Sequence, residues 1–347
     1  MKENSECTCP LCQKGDYNCE DYYVDMSFLK KERPIGVSGM LRVKNDAEFL
    51  SDCIDSCIGA LDELIICYQD CTDNAPEIIY RKQQQYPNKI KVYFYAAPVF
   101  CFNLTEEEKA FVSSLPDDSV HKLCNYYNYT LSKVTYRYAL KIDADQIYFA
   151  DKLKRYCDAY RSTKEISQIR LFFHKLSCFI VRVTSPYVSW NSKTALKIYE
   201  KYMLFRIMKE HTTLAMEGLN LGFDISDWKV CFLQEIGKKS IFNGGADHLI
   251  FEISEKTYYY TESCNGNPIE RMDWGKTIAG GIFWYHLKGL KYPKQCTLFD
   301  FSILKNQTLD EKLYVYYPAL FDYEKKCLPD PNQILSETTK NVINRNI

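Results

Sequence analysis

Apolar positions in the first hundred residues switch repeatedly between a strand-like and a helix-like pattern. Residues 35–43 form a near-continuous apolar run, the signature of a buried strand. Phe49, Leu50, Cys53, Ile54, Cys57, Ile58 and Leu61 then recur at helical spacing and give a helix one apolar face. Residues 63–68 read as a second strand. A helix follows, with Asn74 as its cap, Pro76 in its first turn and an end near Gln85. Residues 86–88 form a turn and residues 90–95 a third strand. Strand, helix, strand, helix, strand predicts a mostly parallel, Rossmann-like α/β sheet flanked by helices.

The pattern continues less regularly. Residues 96–117 read as an irregular insertion carrying the acidic run Glu106-Glu107-Glu108, and residues 121–133 as a helix. That helix leads into Tyr138-Ala139-Leu140-Lys141-Ile142-Asp143-Ala144-Asp145, a buried strand ending in two carboxylates. Residues 149–160 are predicted helical. Residues 168–174 and 178–183 are predicted to pair as strands, and residues 195–211 to form a helix that either packs on the core or touches a membrane surface. An aromatic strand precedes His286, and helices and loops are expected from Tyr292, with a polar tail from Asp330-Pro331. This divides the chain into a Cys-rich segment (1–33), two halves (34–160 and 161–292) and a helical C-terminal region with its tail (293–347).

Composition narrows the function. Hydrophobic residues are 46% and charged residues 26% of 347, enough apolar surface for a substantial core. A formal net charge of -1 removes the electrostatic case for a nucleic-acid partner. No apolar stretch is long enough to span a bilayer, and Met1 to Glu6 is not a hydrophobic signal region, so a cytoplasmic protein is expected, with most of its 16 cysteines as thiols. Four of these crowd the N-terminus. Cys9 and Cys12 have the spacing of a zinc knuckle that Cys7 and Cys19 could complete as a structural zinc site; an unstructured Cys-rich leader is the other reading.

The chemistry gathers at strand ends. In an extended chain Asp143 and Asp145 point the same way, and two adjacent carboxylates call for a cation between them. Hard oxygen ligands suit Mg²⁺ or Mn²⁺ carrying a phosphate-bearing substrate. In parallel α/β sheets ligands bind beyond the carboxyl ends of the strands. The polar clusters Arg42 to Asp46, Asp70 to Asp73 and Asp143 to Asp145 all fall there. Downstream, Asp247 and His248 follow a Gly pair expected to form a flexible loop, and His286 precedes Lys288 and Lys291. His174 is read as a satisfied strand histidine. The phosphate loop of P-loop enzymes, the Gly-x-Gly-x-x-Gly dinucleotide fingerprint and the Gly-x-Ser-x-Gly elbow of hydrolases are all absent.

Leu41-Arg42-Val43-Lys44-Asn45-Asp46-Ala47, Tyr68-Gln69-Asp70-Cys71-Thr72-Asp73, Tyr126-Tyr127-Asn128-Tyr129 and Lys141-Ile142-Asp143-Ala144-Asp145 resemble the bacterial β-1,4-N-acetylgalactosaminyltransferases of lipooligosaccharide outer-core synthesis, of the Campylobacter type. Those enzymes are glycosyltransferases of the GT-A group. The resemblance runs from about residue 35 to 155. Tyr285-His286 with Lys288 and Lys291 is similar to the family's late His and Lys cluster, and Asp46 stands where the family usually has Glu. The resemblance implies that Arg42, Asn45, Asp70 and Asp73 hold the uridine, with Asn128 and Lys141 also on the nucleotide-sugar side. It implies that Asp143 binds ribose or metal, that Asp145 and His286 bind the metal, and that Lys288 contacts the diphosphate.

The expected function is metal-dependent, inverting transfer of a hexose or N-acetylhexosamine from a UDP-sugar to a bacterial surface oligosaccharide, on a glycolipid near the inner membrane. Asp247 is the first candidate for the base, with Asp273 and Glu270 as rivals. A sugar-1-phosphate nucleotidyltransferase would want a Gly-rich basic loop after the first strand, where Arg42-Val43-Lys44-Asn45 stands instead. A non-catalytic carbohydrate- or nucleotide-sugar-binding protein is the non-enzymatic alternative.

Overall fold

The computed structural model describes residues 10–101, 104–224, 227–235, 238–264, 267–291, 296–300, 323–336 and 339. The expected strand–helix alternation is present. Strands β1 (Val37–Val43), β2 (Glu63–Tyr68), β3 (Ile90–Phe94) and β4 (Tyr138–Ile142) lie parallel in the order β3-β2-β1-β4. β1, β2 and β4 are almost wholly buried, because helices and loops cover both faces of a parallel sheet. A short N-terminal helix, α1 (Pro10–Lys14), comes first. α2 (Ala47–Ile58) buries Phe49, Leu50, Cys53, Ile54, Cys57 and Ile58, the stripe expected of it, and α3 (Ala75–Gln85) follows with Asn74 at its cap.

Four expectations fail. Residues 96–117 are not wholly irregular: α4 (Glu106–Ser114) is started by a capping box, with Thr105 accepting from the Glu108 amide and Glu108 reaching back to Thr105. α5 (Leu123–Ser132), a three-residue strand β5 (Gln146–Tyr148) and α6 (Ala150–Arg161) follow. Residues 168–174 and 178–183 do not pair as strands. They form one helix, α7 (Gln168–Thr184), capped by Ser167, whose side chain accepts from the Arg170 amide. Phe, Ile and Val made the segment look strand-like, yet its buried residues Leu171, Cys178 and Val181 are spaced as a helix spaces them. His174 is therefore a helix residue, edge-on to Phe205.

After α8 (Ser192–Glu210) the chain turns to long strands: β6 (Thr213–Asp224), β7 (Asp227–Glu235), β8 (Lys238–Ser240), β9 (Phe242–Glu252), β10 (Tyr259–Cys264), β11 (Asn267–Met272) and β12 (Thr277–His286). The Gly244–Gly245 pair is thus inside β9 and not in a flexible loop. A short α9 (Lys288–Lys291) and β13 (Cys296–Phe299) follow, so the region after Tyr292 is not only helix and loop. The expected polar tail begins with a short helix, Pro331–Ile334, capped by Asp330.

β9 lies antiparallel between β4 and β6, so one mixed eleven-stranded sheet joins the two halves. β12 runs parallel to β6 and antiparallel to β5, with His286 opposite Gln146. Apolar cores form on both sides of the sheet. The N-terminal segment joins the second: Phe28 and Leu29 are buried there, and Tyr22 packs on Tyr95 at 4.6 Å between ring centroids. Cys7 and Cys9 lie outside the described residues. Cys12 Sγ is 3.2 Å from His121 Nε2.

Candidate active site

The carboxyl ends of β1, β2 and β4 share one edge, because parallel pairing aligns Leu41 with Ile142 and Val43 with Tyr68. The three polar clusters therefore meet. Asn45, in the turn after β1, adopts a left-handed φ of 57°, which Asn tolerates better than most residues. Its Oδ1 accepts from the Thr72 amide at 2.7 Å, tying the first turn to the second. Asp73 bonds the amides of Ala47 (2.8 Å) and Ala75 (3.1 Å), so its oxygens are spent on shaping these loops. Asp70 is exposed at the edge. Asp46 takes an ion pair from Lys291 at 2.6 Å, and burial outweighs that lysine to raise its pKa.

Asp143 is the hub. Arg42 Nη2 reaches its Oδ1 at 3.2 Å and His248 Nε2 its Oδ2 at 3.0 Å. Burial alone would raise Asp143; His248, Lys141 and Arg42 outweigh it and hold the carboxyl well below the usual range. The Arg42 guanidinium lies 3.2 Å from the centroid of the Tyr127 ring, a cation–π contact in a buried setting. Lys141, on the same side of β4 as Asp143, stands 4.9 Å from that ring and 3.5 Å from Glu270. Asn128 points elsewhere: its amide bonds both the carbonyl and the amide of Tyr259, pinning α5 to β10.

Asp145 faces His286. The β5–β12 pairing and a Leu287 amide bonded to the Asp145 carbonyl (2.9 Å) place His286 Nε2 3.3 Å from Asp145 Oδ2. On the other side of the ring, Nδ1 lies 2.6 Å from Asn220 Oδ1. Asn220 cannot be turned round, because its Nδ2 donates to the Ser240 carbonyl at 3.1 Å. Nδ1 therefore carries a proton, and Nε2 is the ring atom that faces the carboxylate. Either a proton on Nε2 or a cation between the two groups satisfies this contact. Burial raises Asp145, but His286 and Lys288 bring it below the usual range.

A carboxylate oxygen and an imidazole nitrogen suit a divalent ion whose remaining positions go to water or diphosphate oxygens. Among the described residues no three His, Cys, Asp or Glu side chains gather around one point. Asp143 is engaged with Arg42 and His248 beside it.

The base candidates separate. Glu270 joins the cluster through Lys141. Asp273 is exposed on a different concavity with Trp274, accepting from the Tyr260 hydroxyl at 3.3 Å. Asp247 belongs to β9, and its side chain lies outside those described. Sequence reading did not assign roles to Tyr127, Asn220, Gln146 or Asn243. Gln146 bridges His248 (2.7 Å) and Asn243 (3.0 Å), and Asn243 also accepts from the Trp284 indole at 2.9 Å. Tyr127 sat within a quoted motif; Asn220 lies in a segment with no motif, and only the β6–β12 register brings it to the ring.

The family model described as beta-1,4-N-acetylgalactosaminyltransferase (CgtA) matches residues 12–206, more than half of the chain. The chain belongs to this family. It is a glycosyltransferase. No curated protein matches the sequence. Solved structures with similarity include S. aureus TarS 1-349, at 11% identity and a TM-score of 0.35, covering 82% of this chain and 70% of that one. Mycobacterium tuberculosis glucosyl-3-phosphoglycerate synthase in complex with Mn²⁺, UDP and glucosyl-3-phosphoglycerate is 14% identical with a TM-score of 0.25; the match covers 46% of this chain and 53% of that one.

Proposed function

We propose that this glycosyltransferase moves a hexose or N-acetylhexosamine, of the galactose or N-acetylgalactosamine kind, from a UDP-sugar to a hydroxyl of a bacterial surface oligosaccharide such as lipooligosaccharide or capsule. Family membership supports the reaction type. The observation that carries the mechanism is the Asp145–His286 pair at the carboxyl edge of the sheet. These two residues would hold Mn²⁺ or Mg²⁺, with Lys288, whose charge lowers the Asp145 pKa, available to neutralise a diphosphate. A bound divalent ion would stabilise charge developing on the departing UDP.

The chain's own residues do the rest. Arg42, held flat by Tyr127 and fixed by Asp143, orients the nucleotide, and the exposed carboxylate of Asp70 is available to the uracil N–H. Asn45 and Asp73 shape the loops that receive the uridine. A β-linkage made from an α-linked nucleotide sugar inverts the anomeric carbon, which calls for a base on the acceptor hydroxyl. Asp247 is the first candidate for that base, Glu270 and Asp273 the rivals. The halves 34–160 and 161–292 then correspond to donor and acceptor sides. A zinc site built on Cys7, Cys9, Cys12 and Cys19 would be structural, bracing the N-terminal segment against α5.

Incubation with a panel of UDP-sugars, Mn²⁺ and a galactose-terminated acceptor, read by UDP release, tests the reading. Release dependent on one donor and abolished by Asp145→Ala is the expected result. Full activity of Asp145→Ala would overturn the metal assignment, and UDP binding without turnover on any acceptor would overturn the transferase assignment in favour of a binding protein.

A further inference from the structure

α7 has two apolar faces. Leu171, Cys178 and Val181 turn inward, where the helix packs on α8. Ile169, Phe172, Phe173, Leu176, Phe179 and Val183 recur every three or four residues and form a second stripe on the opposite side. That stripe faces water: Ile169 is 70% exposed, Phe172 61% and Phe179 59%. The turn after the helix adds Tyr187, which is 87% exposed, and Val188. A contiguous apolar patch of this kind on a soluble surface marks a place of contact.

Charge identifies the contact. Between Glu165 and Glu200 there is no Asp or Glu, although the whole chain carries 45 of them. The same span holds Arg170, Lys175, Arg182, Lys193 and Lys197, all exposed. At 3.6 residues per turn, Lys175 and Arg182 fall along one border of the outer stripe and Arg170 along the other. Among the described residues no helix is long and apolar enough to cross a membrane. An apolar stripe with basic borders and no acidic residue is the pattern of a helix that lies in the headgroup region of an anionic bilayer. A second copy of the chain fits less well, since it would bring two uncompensated basic borders together.

We propose that α7 is a membrane-surface helix, seating Phe172, Phe173, Leu176 and Phe179 at the acyl boundary with Arg170, Lys175 and Arg182 against lipid phosphates. The surface is neither the predicted 195–211 helix, whose residues Ala195, Tyr199, Tyr202, Met203 and Ile207 are buried, nor part of the site above. It does not depend on the donor or on metal.

Co-sedimentation of the full chain with phosphatidylglycerol–phosphatidylethanolamine vesicles and with phosphatidylcholine vesicles tests this without any turnover. The chain should sediment with the anionic vesicles, and the double substitution Phe172→Ser, Phe179→Ser should reduce binding at least tenfold. Lys175→Gln with Arg182→Gln, two exposed changes that keep the apolar stripe, should remove the preference for anionic vesicles and its sensitivity to salt. Absence of vesicle binding, or binding unchanged in both double variants, would overturn the proposal. So would a wild-type dimer in light scattering that becomes a monomer in the Phe variant while neither binds vesicles, because the stripe would then be a self-association face.

Discussion

His286 Nε2 stands 3.3 Å from Asp145 Oδ2, with its far nitrogen fixed as a donor to Asn220. The relationship makes Asn220 a positioning residue. Asn220→Ala frees the ring to rotate and to change tautomer, and loss of such an outer partner typically costs 10–100-fold in metal affinity. The Mn²⁺ concentration for half-maximal UDP release should rise by about that factor, while activity at saturating Mn²⁺ is largely kept. His286→Ala should lower activity at all Mn²⁺ concentrations.

Arg42 and Tyr127 should behave as a unit. A desolvated cation–π contact is worth about 2 kcal/mol. Tyr127→Leu should therefore weaken UDP binding by roughly tenfold or more, measured by calorimetry, whereas Tyr127→Phe keeps the ring face and should bind nearly as wild type. Arg42→Lys should resemble Tyr127→Leu, because an ammonium cannot stack flat on the Tyr127 ring.

The base candidates can be ranked by kinetics. Asp247→Asn, Glu270→Gln and Asp273→Asn are compared for kcat and for donor KM. The base should show a large loss of kcat with little change in KM. Glu270 neutralises Lys141 beside Arg42, so a purely electrostatic role there would appear in donor KM instead.

Glu63 gives a pH-dependent contribution to stability. Its buried carboxylate bonds Lys91 (2.5 Å), Ser38 (2.6 Å) and the Thr135 amide (2.6 Å). Burial opposes ionisation, but these partners win and hold its pKa below the ordinary 4.5. A depressed folded-state pKa stabilises above the unfolded value and loses that contribution as pH falls through the folded one. Glu63→Gln should destabilise by about 1–3 kcal/mol at pH 7. The gap in melting temperature between variant and wild type should narrow as the buffer is taken below pH 4.5.

Gly244 is confined by its surroundings. Its φ is +105°, and a Cβ there would lie 2.9 Å from the Met216 carbonyl oxygen and from the Trp284 ring. Gly244→Ala should cost about 1–3 kcal/mol and lower the melting temperature. It should also reduce UDP release, since Trp284 and the neighbouring Asn243 support His248 through Gln146.

The N-terminal half was legible because its elements are local. The buried run of β1, the stripe of α2 and the polar turn after each strand are patterns within about a dozen residues, and parallel pairing alone carries their ends to one edge. The second half was not legible for the opposite reason. Its long strands alternate poorly because β6 and β12 are buried on both faces, and α7 is apolar on two sides, so periodicity could not separate helix from strand.

By itself the sequence determined the α/β alternation and the placement of Arg42, Asp70, Asp143 and Asp145 at the strand ends, since side-chain period and chain order suffice for both. Tertiary structure alone decided which groups answer them. Register between β5 and β12 chose His286 for Asp145, and the crossing of β6 supplied Asn220 to set its tautomer. The insertion of β9 beside β4 gave His248 to Asp143, because antiparallel pairing joins residues that no local pattern connects.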